Sequence, residues 1–214
     1  MINYKDIEQQ TEEWFKIKWG RIGGTLSTGL FIKSDTLMID IASQRMEEFE
    51  LSESFSNDAM DRGNELEPEA RAYLNEYTGL DFLVSGWLQC EENELLGISP
   101  DGLTLDEKIG CEIKCLGRKA HYSLLLSGEI EKQKLCQILQ MFTVNPKLEK
   151  HYFIAYRQEA PNHFIKIFTR DSVINLGTKA RPVEKTISDW VEIAKIEADK
   201  LLKEIIEFEQ SLKF

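Results

Sequence analysis

The sequence predicts one domain of the α/β or α+β class, a central mixed β-sheet flanked by helices. Three observations lead there. Helix-type and strand-type patterns come in blocks: helices, a β meander, two helices, a strand pair and a last long helix, the order expected of a sheet covered by helices. The chain has 214 residues, 42% hydrophobic and 29% charged, enough for a real core in an ordinary soluble composition. No repeat, low-complexity tract or Pro/Gly/Ser linker divides residues 1–214, so a single domain is the simplest organisation.

The first helix is predicted over Thr11–Trp19, anchored by Trp14, Phe15 and Ile17, and it stops at GRIGGT, where glycines break helix. A second runs through TLMIDIASQRMEEF. A third follows SESFSND, a stretch rich in N-capping residues, and continues through AMDRGNELEPEARAYLNEYTG. Leu66, Ala70 and Leu74 recur there every four residues, and Gly79 is the stop. Pro68 sits inside this stretch and predicts a kink or a restart. DFLVSGWLQC reads as a strand, and NELLGISPDGLTLDEKIGCEIKCLG as short strands separated by a Pro-Asp-Gly turn and by DEKIG. Helices are predicted near RKAHYSLLLSG and EKQKLCQILQMFTV, and a strand pair at KHYFIAYRQE and HFIKIFTRD. A long amphipathic helix at about 182–212 closes the chain, striped by Trp190, Ile193, Ile196, Leu201, Ile205 and Phe208.

The net charge of −11 argues against a nonspecific nucleic-acid binder, because phosphate contacts need Lys and Arg. It is compatible with acidic residues that hold metal ions, which reverse the local electrostatics. No apolar run approaches the roughly 18 residues of a membrane span, and the first residues lack a basic segment followed by an apolar run. The expectation is a cytoplasmic protein with no membrane partner. The four cysteines, Cys90, Cys111, Cys115 and Cys136, form no C-x-x-C pair, which predicts neither a zinc site nor a disulfide framework. Cys111 and Cys115 are expected as small apolar residues on the core face of a strand.

That strand, GCEIKCLG, is the most informative stretch. Side chains alternate along it, so Cys111, Ile113 and Cys115 share one face and Glu112 and Lys114 share the other. Asp101 stands one strand earlier, in SPDG. An Asp followed about ten residues later by Glu-x-Lys is the arrangement a hydrolytic Mg²⁺ site requires. Asp101 and Glu112 supply hard oxygen ligands, and the carbonyl of Ile113 can add another. Lys114 can orient or deprotonate the attacking water and stabilise the transition state. Each piece alone has a plainer reading. Glu-x-Lys is usually a solvated face with a weak ion pair, and Pro-Asp-Gly is ordinary turn chemistry.

Taken together, EEWFKIKWGRIGGT, RGNELEPEARAYLNEYTG, GISPDG and CEIKC resemble the phage-type alkaline exonucleases. This is the lambda exonuclease or YqaJ-like recombinase family, within the PD-(D/E)xK nuclease superfamily. The resemblance runs from about Thr11 to Tyr156 and implies a PD-(D/E)xK restriction-endonuclease-like fold. It casts Asp101 and Glu112 as metal ligands, Lys114 as the catalytic lysine and Glu67, in GNELE, as the helical carboxylate that completes the metal site, with Glu65 and Glu69 as close alternatives. Gln137 matches a family glutamine on the helix after the active-site strand, and Gln140 is the alternative. Lys18, Gly20 and Thr25 fall on positions that bind the terminal phosphate of the DNA, with Arg21 a second cationic candidate. Met60 matches an apolar position that relatives use to pry apart the duplex end, or it is simply a core residue.

The family likeness also implies Mg²⁺, with Mn²⁺ as a substitute, and 5′→3′ digestion of linear double-stranded DNA. The 3′ tails would pass to a single-strand annealing protein, and the enzyme would act as a ring-shaped homotrimer in a bacterial host, encoded by a phage or prophage. A structure-dependent or single-strand endonuclease, and a non-catalytic DNA-binding module with a decayed nuclease fold, are the alternatives.

Overall fold

The structure, a computed structural model, describes residues 1–50 and 58–212, with the backbone only for 58–61. Its elements in chain order are β1 (Ile2–Tyr4), α1 (Glu12–Lys18), α2 (Ser27–Phe31), α3 (Leu37–Met46), α4 (Asp58–Thr78), β2 (Trp87–Gln89), β3 (Gly97–Ile98), β4 (Gly102–Leu103), β5 (Ile109–Cys115), α5 (Arg118–Ser127), α6 (Lys132–Val144), β6 (Lys150–Tyr156), β7 (Phe164–Phe168), β8 (Val173–Asn175), β9 (Glu184–Thr186) and α7 (Ile187–Ser211).

The central sheet has the order β4-β5-β6-β7. Strands β5 and β6 run parallel over their full length, from Ile109 opposite Lys150 to Cys115 opposite Tyr156, while β4 and β7 are antiparallel to them. A parallel pair needs a crossover, and α5 and α6 supply it. A second sheet, β1-β2-β3, is antiparallel throughout.

Apolar side chains sort onto the two faces of the central sheet. Ala70 and Leu74 of α4 cluster with Phe82, Cys111, Ile113, Ile154 and Tyr156 on one side. Phe153 and Ala155 join α2, α3, α6 and α7 in the larger cluster on the other. The alternation expected along β5 is therefore present: Cys111 and Ile113 lie under α4, and Glu112 and Lys114 take the face shared with Phe153 and Ala155. All four cysteines are free thiols.

Several predicted elements change at their ends, each for a visible reason. α1 begins after Thr11, whose hydroxyl accepts the Trp14 N–H. α3 stops at Met46 rather than at Phe49. Three acids follow in EEFE, unfavourable at a helix C-terminus, and the Glu47 carbonyl instead accepts the Trp19 indole N–H. α4 runs through Pro68 without a restart. Pro68 and Asn64, the residue whose carbonyl loses its partner, are both exposed, so water can serve that carbonyl.

DFLVSGWLQC yields only β2, because the Ser85 and Gly86 carbonyls are taken by the Gln9 amide and the Trp14 indole. The closing helix starts at Ile187, not near 182. Residues Glu184–Thr186 pair with β8, and Thr186 then caps α7 in a capping box with Asp189. Ile196 is 54% exposed and lies off the stripe, whose buried line is Trp190, Ala194, Ala198, Leu201 and Ile205.

Candidate active site

β4 pairs with β5 only at Gly102–Cys111 and Leu103–Gly110. Beyond Cys111 that edge of β5 has no neighbouring strand among the described residues, and Asp101 takes its place: one carboxylate oxygen, Oδ2, accepts the Ile113 N–H at 2.6 Å. The N–H and C=O of a strand residue point to the same side, so the Ile113 carbonyl faces the same edge. Lys114 Nζ lies 2.6 Å from Glu112 Oε1 and 4.0 Å from Asp101 Oδ2. The Glu112 side chain is only 5% exposed. Glu67 approaches from α4, where it is paired with Arg71 one turn later. Arg71 Nε also donates to the Asp101 carbonyl oxygen at 2.8 Å.

Burial pushes the Glu112 carboxyl up to about 7. Lys114 pulls against that shift, and Asp101 adds to it. Burial likewise pushes Glu67 up to about 7, with Asp101 adding and Arg71 and Lys114 opposing. Burial alone would lower the Lys114 ammonium, but Glu112 and Asp101 outweigh it and hold the group above its ordinary value. Among the described residues, no three Asp, Glu, His or Cys side chains already stand close enough together to hold a cation. The reason is local: Glu67 is turned to Arg71 and Glu112 to Lys114. The donor set still fits Mg²⁺, which takes one or two carboxylates with carbonyl and water oxygens. A buried, proton-retaining carboxyl such as Glu112 is also a group a cation would favour in its charged form.

A cavity of about 670 Å³ reaches as far as Ser99 on the segment that leads into Asp101, and is lined by Trp14, Lys18, Arg21, Thr25 and Gln137 among others. Ser99 stands two residues before Asp101 and accepts the Trp14 indole N–H at 2.7 Å. Lys18 Nζ sits 3.3 Å from the centre of the Trp14 ring, and burial lowers its pKa to about 8. Arg21 donates through Nη1 to the Ile17 carbonyl, and its buried Nε has no partner among the described residues. Gly24 packs so closely on Gln137 that a Cβ there would stand 3.2 Å from its Nε2. Gly20 has φ +66° just after α1, and a Cβ there would come within 2.6 Å of Arg45.

The structure thus brings Asp101, Glu112, Lys114 and Glu67 into one cluster and Lys18, Arg21, Thr25 and Gln137 into the neighbouring cavity. It also separates the two glutamines. Gln137 is half-buried at the cavity, whereas Gln140 is fully buried and ties the carbonyls of Ile22 and Gly97 at 3.0 and 3.2 Å. The Met60 side chain lies outside the described residues. Sequence reasoning missed Arg71. Its spacing of four from Glu67 on one helix was the available signal.

The fold is a mixed α/β domain of the PD-(D/E)xK type. The chain belongs to the YqaJ-like viral recombinase domain family, whose sequence model matches residues 13–145. Solved structures share its fold. The alkaline exonuclease LHK-Exo from Laribacter hongkongensis matches with a TM-score of 0.73 and 24% identity, over 95% of this chain and 96% of that one. Its complex with dAMP gives 0.69 and 23%, over 94% and 97%. A phage-related exonuclease from Haemophilus somnus gives 0.51 and 14%, over 82% and 85%. No curated protein sequence matches.

Proposed function

We propose that the protein is a metal-dependent exonuclease that digests linear double-stranded DNA from its 5′ ends and leaves 3′ single-stranded tails. The observation that carries this reading is the Lys114 ammonium seated between Glu112 and Asp101 at an open strand edge. Family membership supports it. So does the capture of LHK-Exo with dAMP, a deoxynucleoside monophosphate of the kind stepwise DNA hydrolysis releases.

Asp101, Glu112 and the Ile113 carbonyl would hold Mg²⁺ or Mn²⁺, with Glu67 completing the set. When bound, the ion would neutralise phosphate charge and make the attacking water easier to deprotonate. Lys114, kept charged by its two carboxylate neighbours, orients that water and stabilises negative charge building on the phosphate. Lys18 and Arg21, helped by the Thr25 hydroxyl, receive the terminal phosphate, and Gln137 borders the same cavity. Met60 would separate the duplex end. The whole chain, residues 1–214, acts as one nuclease domain. The 3′ tail goes to a single-strand annealing protein in the cytoplasm of the bacterial host, where a phage or prophage encodes the enzyme. A homotrimeric ring would confine basic residues to its channel and reconcile the net charge of −11 with DNA binding.

Linear duplex DNA labelled at either the 5′ or the 3′ end, with a closed-circle control, tests this reading. Release of the 5′ label from linear DNA alone, stopped by chelator and by Lys114→Ala, is the expected result. Equal cutting of circles would make the protein an endonuclease. No cutting by a folded wild type would make it a DNA-binding module.

A further inference from the structure

Arg71 has no role in the chemistry described so far, yet it touches two of its parts. Its side chain is only 12% exposed. Nη2 pairs with Glu67 on its own helix, and Nε donates to the backbone carbonyl of Asp101 at 2.8 Å. These two donors lie on one edge of the rigid guanidinium plane, so a single planar group fixes both partners at once.

The bridge continues past Arg71. The Asp101 side chain is itself fixed by the Ile113 N–H at 2.6 Å. The order of contacts is therefore Glu67 on α4, Arg71, the Asp101 backbone, the Asp101 carboxylate and the β5 edge. Elements from three different parts of the chain are tied through two side chains, Arg71 and Asp101. Without Arg71, α4 and the Asp101 turn share no polar contact among the described hydrogen bonds.

We propose that Arg71 is a positioning residue that sets the spacing of Glu67 and Asp101 for divalent-cation binding. This rests on the nuclease reading above. The competing possibility is that Arg71 merely neutralises Glu67 and would have to be displaced by a cation. The two make opposite predictions. A competitor, once removed, frees Glu67 and tightens cation binding. A positioning group, once removed, loosens it.

The experiment measures Mn²⁺ binding by electron paramagnetic resonance, without DNA, for wild type, Arg71→Ala and Arg71→Lys. Amide exchange over residues 109–115 is followed in parallel. Arg71→Ala should weaken Mn²⁺ binding about tenfold or more, the usual cost of losing a group that orients a ligand. It should also speed exchange at the Ile113 amide. Arg71→Lys keeps the charge but lacks the fork, and should fall between the two. Unchanged or tighter Mn²⁺ binding in a folded Arg71→Ala or Arg71→Lys protein overturns the proposal. Arg71→Lys decides the matter if Arg71→Ala does not fold: binding equal to wild type then counts against it. Absence of Mn²⁺ binding in the wild type would instead bring down the nuclease reading, and this proposal with it.

Discussion

The carboxylate cluster and the adjoining cavity are built from similar material and respond to burial in opposite ways. Each holds a partly buried lysine. Lys114 has Glu112 and Asp101 beside it, and their charges overcome desolvation and hold its proton. Lys18 has an indole face and, among the described residues, no ion pair, so desolvation lowers it to about 8. The acids of the cluster rise to about 7 for the same reason that Lys18 falls. The cluster is thus short of positive charge, and Lys18 in the cavity is short of an anionic partner among the described residues. A divalent cation would satisfy the first and a terminal phosphate the second.

The sharpest way to break this comparison is to remove each lysine in turn. Lys114→Met should stop cleavage of all ends, a loss of about 10²–10⁴-fold, the range for a group acting in the chemical step. Lys18→Met should act only where there is a phosphate to receive. Its loss should be about tenfold to a hundredfold on 5′-phosphorylated ends, the worth of a charge-assisted contact, and small on 5′-hydroxyl ends. A Lys18 variant that slows both kinds of end equally would contradict the division of labour.

A smaller effect sharpens the electrostatic half. With pKa values of about 7 in the folded state, Glu67 and Glu112 bind more protons folded than unfolded. Their contribution to stability is therefore greatest below the ordinary carboxylate pKa and is lost as pH rises toward about 7. Thermal melts of the cation-free protein should show stability falling over that window relative to Glu112→Gln. Adding Mg²⁺ at about pH 7.5 should restore it. Parallel curves for the two proteins would mean that Glu112 does not carry the strain assigned to it.

Much of this was legible in the sequence because it depends on short-range periodicity. The period of two along β5 put Glu112 and Lys114 on one face, and the Pro-Asp-Gly turn placed Asp101 at its edge. The stop at Gly79 marks a helix end with left-handed backbone. What escaped depends on tertiary neighbours. Gln137 and Gln140 differ by about 60° around one helix, and only packing decides which faces the cavity and which bolts Ile22 to Gly97. Ile196 fits an apolar pattern but is displaced by Ala194 and Ala198, whose small size lets α7 pack closely. Glu184–Thr186 pairs as β9 because β8 offers it a partner, which no local signal announces. The second contact of Arg71, to the Asp101 carbonyl, lies across the fold, beyond the reach of local pattern.

The most direct test of the central claim is diffraction from crystals grown with Mn²⁺, read at the manganese absorption edge. The account predicts an anomalous peak bound by the carboxylates of Asp101 and Glu112, with Lys114 drawn away from Glu112. No peak at that edge of β5, with Lys114 still on Glu112, would contradict it.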